Sequence, residues 1–307
     1  LSPAEGHAAH PHPAVEIQRQ PHPRQHQHRP GSPAAFRWSI LLNASLSGLQ
    51  LAIGFGFHSL ALVGDAVHNL GDVAGLLLGW GAERLSTRPT NGRYTYGYGR
   101  STQLAALING VLIAMAAAVV LVEAVQRLRE PVPLVSGPVA WAAALGIAVN
   151  LGSATLFRHG DQHDLNRRSA ILHLIGDAAV SLAVLLSAVL VGLTGWHWLD
   201  PLTAIGVGLA VGYTGLVLMR DALIVLLDAI PAHIDPDQVR QVLMQCPGVV
   251  DVHHLHIWAL STSQVALTAH VCRRIGAVDD MALLHQAKRA LAEVGVEHST
   301  IQLEPAP

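Results

Sequence analysis

Two copies of one motif, each inside a long apolar run, constrain this chain more than any other feature. A histidine precedes an aspartate by four positions at His68 and Asp72, and again at His173 and Asp177. Residues four apart lie on the same face of an α-helix, so each motif directs one imidazole and one carboxylate the same way. Two such helices facing each other would bring two nitrogens and two carboxylates around one point.

This ligand set predicts a tetrahedral site for a divalent cation of intermediate softness, and zinc fits it best. Two carboxylates balance the double positive charge, and a neutral site costs least in a low-dielectric interior. A single helical histidine is more often an ordinary core residue. Two copies in separate apolar runs, both with glycine before the aspartate, favour a functional site.

Composition indicates an integral membrane protein. Of the 307 residues, 51% are hydrophobic and 13% are charged, whereas soluble domains average about 25% charged residues. The net charge of -2 argues against a nucleic-acid partner. The two cysteines have no CxxC spacing, which argues against a disulfide framework or a thiolate zinc knuckle. No HExxH motif or nucleophile elbow is present, so neither an enzyme nor a bound cofactor is predicted.

Six apolar runs have about the 20 residues that a membrane-spanning helix needs. Arginines concentrate in the N-terminal tail and in the polar links after the second and fourth runs. By the positive-inside rule these segments, and therefore both termini, are predicted to be cytoplasmic. The runs are 37–57, 59–83, 102–126, 138–157, 168–193 and 201–226.

The predicted organisation has three parts. Residues 1–35 are rich in histidine and proline and have too few apolar side chains to bury a core, so a disordered tail is predicted. Two interpretations of this tail stay open: a solvated segment, or a weak and rapidly exchanging collector of metal ions. Residues 36–228 are predicted to form an all-α, six-helix transmembrane domain, and residues 229–307 a soluble domain.

The soluble part is predicted to be a ferredoxin-like α+β domain with the order αββαβ. Its pattern indicates helices over 236–245 and 278–294 and strands over 249–259, 264–271 and 298–303. Strand alternation predicts that His253 lies on one face of the first strand and His254 on the other.

Two further polar residues stand in the apolar runs. Asp65 is seven residues before Asp72 and on nearly the same helix face, so it is predicted to line the outer path to the metal. Asn109 in the third run is predicted to hydrogen-bond between helices rather than to bind metal.

Several motifs together resemble the cation diffusion facilitator family, in its zinc-transporting branch, over residues 36–305. The resemblance implies a homodimeric, proton-coupled exporter of divalent metal in the bilayer of a bacterial inner membrane, with a cytoplasmic C-terminal domain. The motifs are the segment 64–68 with Asp72, the segments 96–100 and 105–110, Leu172-His173 with Asp177, and the segments 255–258 and 300–304.

The resemblance also implies two features outside the membrane site. One is a second metal site in the soluble domain, where zinc would act as a regulatory ligand. The other is an ion pair between Arg100 and Asp228 at the membrane boundary, expected to be partly desolvated and so stronger than an exposed pair. The implied ligands of the soluble site are His253, His270, His298 and Glu304.

Metal and protons are expected to compete for the same four side chains. Imidazole titrates near pH 6.5, and metal binding needs it neutral, so protons entering from outside would expel the ion. Two alternatives stay open: a transporter of broader range that includes Cd²⁺, Co²⁺, Ni²⁺ and Mn²⁺, and a membrane-bound metal sensor. Metal flux in vesicles separates a transporter from a sensor.

Overall fold

A computed structural model describes the backbone of residues 33–156, 165–261 and 264–306, and side chains within 40–155, 171–261 and 264–306. Residues 39–307 group into one compact unit. The tail predicted over residues 1–35 lies almost entirely outside the described residues, so its disorder and its metal-collecting role stay predictions.

Six apolar helices make up the first part of the described chain. Five of them are long and apolar enough to cross a membrane, and the first contributes the shorter apolar helix Ile40–Gly56. Their order and bounds agree with the six predicted runs to within about five residues. They are α1 Pro33–Gly56, α2 Leu60–Ser86, α3 Ser101–Arg129, α4 Ser136–Leu156, α5 Leu165–Thr194 and α6 Leu199–Leu226.

Small residues let α3 and α6 pack closely. A Cβ built on Gly110 would lie 2.9 Å from the Gly215 carbonyl oxygen, and one built on Gly215 would lie 3.0 Å from the Ala114 nitrogen. A side chain at either glycine would therefore force the helices apart. Helix α4 packs against α5, and α2 packs against both α3 and α6.

The two ends of the helical bundle differ in packing. We call the end that holds Ser59 and Asp200 the outer end, and the end that holds Arg100 and Asp228 the inner end. Ser59, which caps α2, and all residues of α2 up to Ala66 are buried, whereas most residues of α2 after Asn69 are partly or fully exposed. The outer end is therefore the closely packed end, in a core that includes Leu62, Val139, Val184 and Ala204.

A buried carboxylate ties α6 to the start of α2. Asp200 Oδ1 accepts a hydrogen bond of 2.6 Å from Ser59 Oγ, and Asp200 Oδ2 accepts bonds from the backbone nitrogens of Leu60 at 2.7 Å and Ala61 at 3.4 Å. Ser59 Oγ in turn accepts from the Leu62 nitrogen at 3.1 Å. Asp200 thus satisfies backbone donors that a helix N-terminus otherwise leaves without partners.

The C-terminal part has the predicted αββαβ order. Its sheet has the order β1-β2-β3, with β1 antiparallel to β2 and β2 parallel to β3. The two helices begin at aspartate N-caps, Asp235 and Asp279, whose side chains accept from backbone nitrogens. The elements are α7 Pro236–Met244, β1 Val249–Ala259, β2 Val265–Arg273, α8 Asp280–Glu293 and β3 His298–Pro305.

One strand departs from simple alternation. The register between β1 and β2 shifts between His253 and His256, and His254 has a positive φ of 47°. Such a β-bulge re-aims the side chains next to it. The ring centroid of His254 lies 5.3 Å from that of His253 and 4.9 Å from that of His270. The prediction that His253 and His254 lie on opposite faces is therefore wrong, because the bulge interrupts the period of two.

Candidate metal centre

Helices α2 and α5 bring both histidine–aspartate motifs together. His68 Nε2 lies 3.0 Å from Asp177 Oδ1, and His173 Nε2 lies 3.2 Å from Asp72 Oδ2. Within each helix the same histidine nitrogen is farther from its own aspartate, at 3.9 Å for His68 and 3.6 Å for His173. Each imidazole therefore faces the carboxylate of the opposite helix most closely.

The spacing of these groups suits a small cation. Ligand atoms from His68, Asp72 and Asp177 lie within 4.8 Å of one another, and His173 contacts both carboxylates. The rings of His68 and His173 meet edge to face, with centroids 6.1 Å apart. Zinc bonds to nitrogen are about 2.0–2.1 Å long, so modest side-chain rotations would let one ion contact all four groups.

The four side chains line a cavity of about 380 Å³ between α2, α3, α5 and α6. A second cavity of about 360 Å³ shares Asp72, Asn109 and His173 with the first and reaches Thr102, at the start of α3. Asp177 is the most buried of the four at 6% side-chain exposure, whereas His173 is 52% exposed. The group of four is therefore accessible from the inner end of the bundle.

Asn109 lies on the wall shared by both cavities. It is buried, and its Oδ1 has no hydrogen-bond partner in the part of the chain whose side chains are described. The predicted hydrogen bond between helices is therefore not made by this oxygen. A buried carbonyl oxygen without a partner beside two carboxylates is instead suited to contact a passing cation.

Asp65 does not line the outer path to the metal. It is fully buried, and it accepts hydrogen bonds at Oδ2 from Gln50 Nε2 at 3.0 Å and Ser181 Oγ at 2.8 Å. Neither cavity at the four-residue group includes it. The prediction is wrong because helix-face position alone does not reveal that α1 and α5 cover this turn of α2. Asp65 instead joins three helices.

A second group of ligand-type side chains lies on the C-terminal sheet. His253 on β1 pairs with His270 on β2 in the register, and Glu304 on β3 reaches both rings. Glu304 Oε1 lies 2.8 Å from His270 Nδ1, and Glu304 Oε2 lies 3.3 Å from His253 Nε2. These three residues form a candidate metal site within the reach of one ion.

His298 is not brought to this group. It lies at the other end of β3, six residues before Glu304, which is about 20 Å along a strand. Its ring instead faces that of Tyr96, with centroids 6.0 Å apart.

Two further residues next to His253, Asp251 and Cys272, have side chains that can bind metal, and the sequence analysis did not identify them. Asp251 pairs with Cys272 across β1 and β2. Burial, together with the carboxylates of Glu304 and Asp251, raises the pKa of the Cys272 thiol. The missing signal was the strand register, because a lone cysteine in sequence does not show which residues oppose it.

Arg100 and Asp228 form an ion pair at the inner end of the bundle. The same guanidinium donates a hydrogen bond of 3.2 Å to the carbonyl oxygen of Ala259, at the end of β1. The side chains are 35% and 57% exposed. The pair is therefore more exposed than the expected partly desolvated one, so the free energy of the ion pair itself is expected to be small.

Comparison with known families matches almost all of the described chain. Residues 37–227 match the family described as "Cation efflux transmembrane domain", and residues 231–306 match "Cation efflux protein, cytoplasmic domain". The C-terminal part is similar to the solved metal-bound C-terminal domain of the CzcD transporter. That domain is 36% identical and is covered to 99%, over 23% of this chain, with a TM-score of 0.22.

Full-length relatives are similar over nearly the whole chain. The metal cation efflux system protein CzcD of Cupriavidus metallidurans is 33% identical, covering 92% of this chain and 90% of the relative. Zinc transporter ZitB of Escherichia coli is 34% identical, covering 93% and 92%. A Bacillus velezensis protein named "Cadmium, cobalt and zinc/H(+)-K(+) antiporter" is 31% identical, covering 82% of each. The chain therefore belongs to the cation efflux family, the cation diffusion facilitators, and is an integral membrane transporter of metal cations.

Proposed function

We propose that this protein exports Zn²⁺ from the cytoplasm in exchange for protons, through a site made by His68, Asp72, His173 and Asp177. The observation that carries this proposal is the crossed pairing of each imidazole with the carboxylate of the opposite helix. Two nitrogens and two carboxylate oxygens suit tetrahedral zinc, and the two negative charges make the loaded site neutral.

The described conformation is proposed to be open toward the cytoplasm. The cavities at the site continue toward Thr102 at the inner end. The outer end is closed by Ser59 and the buried start of α2, up to Ala66. An ion would enter past Asn109 and His173. Export then requires a second conformation in which the outer packing opens and the inner cavities close.

Protons are proposed to drive release on the outer side. Metal binding requires both imidazoles to be free of bound protons on Nε2 and both carboxylates to be ionised. Protonation of the two imidazoles from outside removes two ligands and offsets the negative charge of the carboxylates, so the ion leaves. Each protonated imidazole then pairs with the ionised carboxylate of the opposite helix, His68 with Asp177 and His173 with Asp72, which stabilises the empty site during its return.

The remaining features of the proposal come from the family. We propose a homodimer in a bacterial inner membrane, as the family implies. Both termini are proposed to be cytoplasmic, because the C-terminal part matches a family domain described as cytoplasmic and six helices return the chain to the side on which it started. Cd²⁺ and Co²⁺ are proposed as further substrates because a relative is named for them. Zinc bound at His253, His270 and Glu304 is proposed as a regulatory ligand.

Zinc flux into inverted membrane vesicles tests the proposed transport. We expect accumulation of zinc that depends on an inside-acidic pH gradient, with protons leaving the vesicles as zinc enters. A proton ionophore should abolish the accumulation against a gradient. Zinc binding without any zinc flux, with or without the pH gradient, would favour the alternative of a membrane-bound metal sensor.

Asn109→Leu should slow zinc flux about tenfold while leaving zinc affinity at the site nearly unchanged. The substitution removes the unpartnered carbonyl oxygen from the wall of the entry route, and losing one such contact costs about 1–1.5 kcal/mol. Asn150→Leu is the control, because Asn150 is also buried, its side-chain amide has no hydrogen-bond partner among the described side chains, and it lines neither cavity. Equal zinc flux in the two variants would show that the ion does not depend on Asn109 along its route.

The ion pair at the inner end is testable by a double-mutant cycle on Arg100 and Asp228. We expect a coupling free energy of about 1 kcal/mol or less for unfolding, because Asp228 is exposed and Arg100 is only partly buried, so water screens the pair. Arg100→Ala should destabilise more than Asp228→Asn, since Arg100 also binds the Ala259 carbonyl and asparagine tolerates the positive φ of 60° at position 228. Equal losses from the two single substitutions would argue against that second contact.

A further inference from the structure

A third group of ligand-type side chains lies beside the His253–His270–Glu304 cluster. Its members are Asp251 and His253 on β1 and Cys272 on β2, which project from the same face of the sheet as His270 and Glu304. His253 Nδ1 lies 3.3 Å from Asp251 Oδ2 and 3.9 Å from Cys272 Sγ. The three ligand atoms all lie within 4.8 Å of one another.

We propose that Asp251, His253 and Cys272 bind a thiophilic divalent cation, Cd²⁺ or Zn²⁺, at a site distinct from the His253–His270–Glu304 cluster. Thiolate sulfur and imidazole nitrogen are ligands that such ions prefer. The thiolate and the carboxylate balance the double positive charge, and the thiol proton passes to solvent as the metal–sulfur bond forms.

The orientation of the His253 ring supports this assignment. A neutral imidazole has one lone pair, and its other ring nitrogen carries a proton. When Nδ1 binds the cation, Nε2–H donates to Glu304 Oε2, which lies 3.3 Å away. A carboxylate that accepts from the far nitrogen is the usual partner of a metal-binding histidine, because it fixes the tautomer and the ring.

His253 belongs to both groups of ligands, so ions at the two sites compete for its ring. An ion at the thiol position takes Nδ1 of His253, whereas an ion at the neighbouring position takes Nε2 of the same ring. A neutral imidazole has only one nitrogen lone pair, so His253 can bind only one of the two ions at a time. The position with sulfur should therefore favour the softer ion, and the position with His270 and Glu304 the harder one.

The other cysteine of the chain provides a matched control. Cys246 is buried in the apolar core of the C-terminal part, and its thiol donates to the Val242 carbonyl oxygen at 3.6 Å. Among the side chains that are described, no group of three metal ligands includes it. Cys246 and Cys272 are the only cysteines in the sequence, so any cadmium–thiolate signal comes from one of the two.

Cadmium titration of the full-length protein in detergent, followed by ultraviolet absorption of the cadmium–thiolate charge-transfer band, tests the proposal. We expect the band in the wild type and in Cys246→Ser, and its complete loss in Cys272→Ser. Asp251→Asn and His253→Gln should each weaken the cadmium affinity read from this band by at least about tenfold. His270→Gln removes a ligand of the competing position, so it should keep the band and should not weaken the affinity read from it.

Absence of the band in the wild type would overturn the site. So would a band that survives Cys272→Ser, or one whose affinity is unchanged by both Asp251→Asn and His253→Gln. Asp251 is an exposed side chain, so its substitution tests the site even if Cys272→Ser were poorly folded. Because the transport site has no sulfur, this signal is independent of zinc flux, and either proposal can fail without the other.

Discussion

Asp177→Asn is expected to reduce zinc flux by roughly a hundredfold or more while the protein stays folded. Asp177 is the most buried of the four proposed ligands, and it lies 3.0 Å from His68 Nε2. The substitution keeps the shape of the side chain but leaves a bound Zn²⁺ with one compensating charge instead of two. Removing one partner of a buried charge pair costs about 3–5 kcal/mol, which is more than a hundredfold in affinity.

Flux assays in vesicles, with size-exclusion chromatography to verify folding, check this result. Asp221→Asn is the control, since Asp221 is an exposed carboxylate on α6 and lines neither cavity at the site. We expect this control to transport zinc like the wild type. Flux near the wild-type rate in Asp177→Asn would mean that the ion does not depend on this carboxylate.

Asp200→Ala is expected to destabilise the protein by about 2–4 kcal/mol. The substitution leaves Ser59 Oγ and the Leu60 nitrogen without their hydrogen-bond acceptor, and both residues are buried from water. Buried donors without partners cost about 1–3 kcal/mol each, and a lost helix cap about 1 kcal/mol, partly overlapping here. Thermal unfolding of the purified protein in detergent measures the loss.

The control separates the hydrogen bonds from the charge. Asp200→Asn keeps one oxygen that can accept from Ser59 or Leu60, so it should lose about half as much stability as Asp200→Ala. Asp221→Ala, at an exposed position on the same helix, should change stability by less than about 0.5 kcal/mol. An unfolding temperature of Asp200→Ala equal to that of the wild type would exclude a structural role for this carboxylate.

The sequence predicted the helical part well because hydrophobic length and motif spacing are local properties. The interval of four between His68 and Asp72 holds in any α-helix, so one face could be assigned before any contact was known. The αββαβ order followed from alternation and from N-cap residues such as Asp235 and Asp279. These features depend on neighbours within a few residues.

Features that depend on distant neighbours could not be predicted. Asp200 is 141 residues from Ser59, and neither residue carries a sign of the other. Helix periodicity places Asp65 on the face of Asp72 but does not show that α1 and α5 cover it, so it wrongly predicts that Asp65 lines the outer path. The pairing of Asp251 with Cys272 could not be predicted either, because it depends on the register between β1 and β2, which the sequence of one strand does not show.

Anomalous diffraction at the zinc absorption edge, from crystals of the full-length protein loaded with zinc, tests the central claim most directly. We expect an anomalous peak about 2.0–2.2 Å from Nε2 of His68 and His173 and from one oxygen each of Asp72 and Asp177. A zinc peak at His253, His270 and Glu304 in the same crystal would verify that the protein was loaded. A peak there with none between α2 and α5 would contradict the proposed transport site.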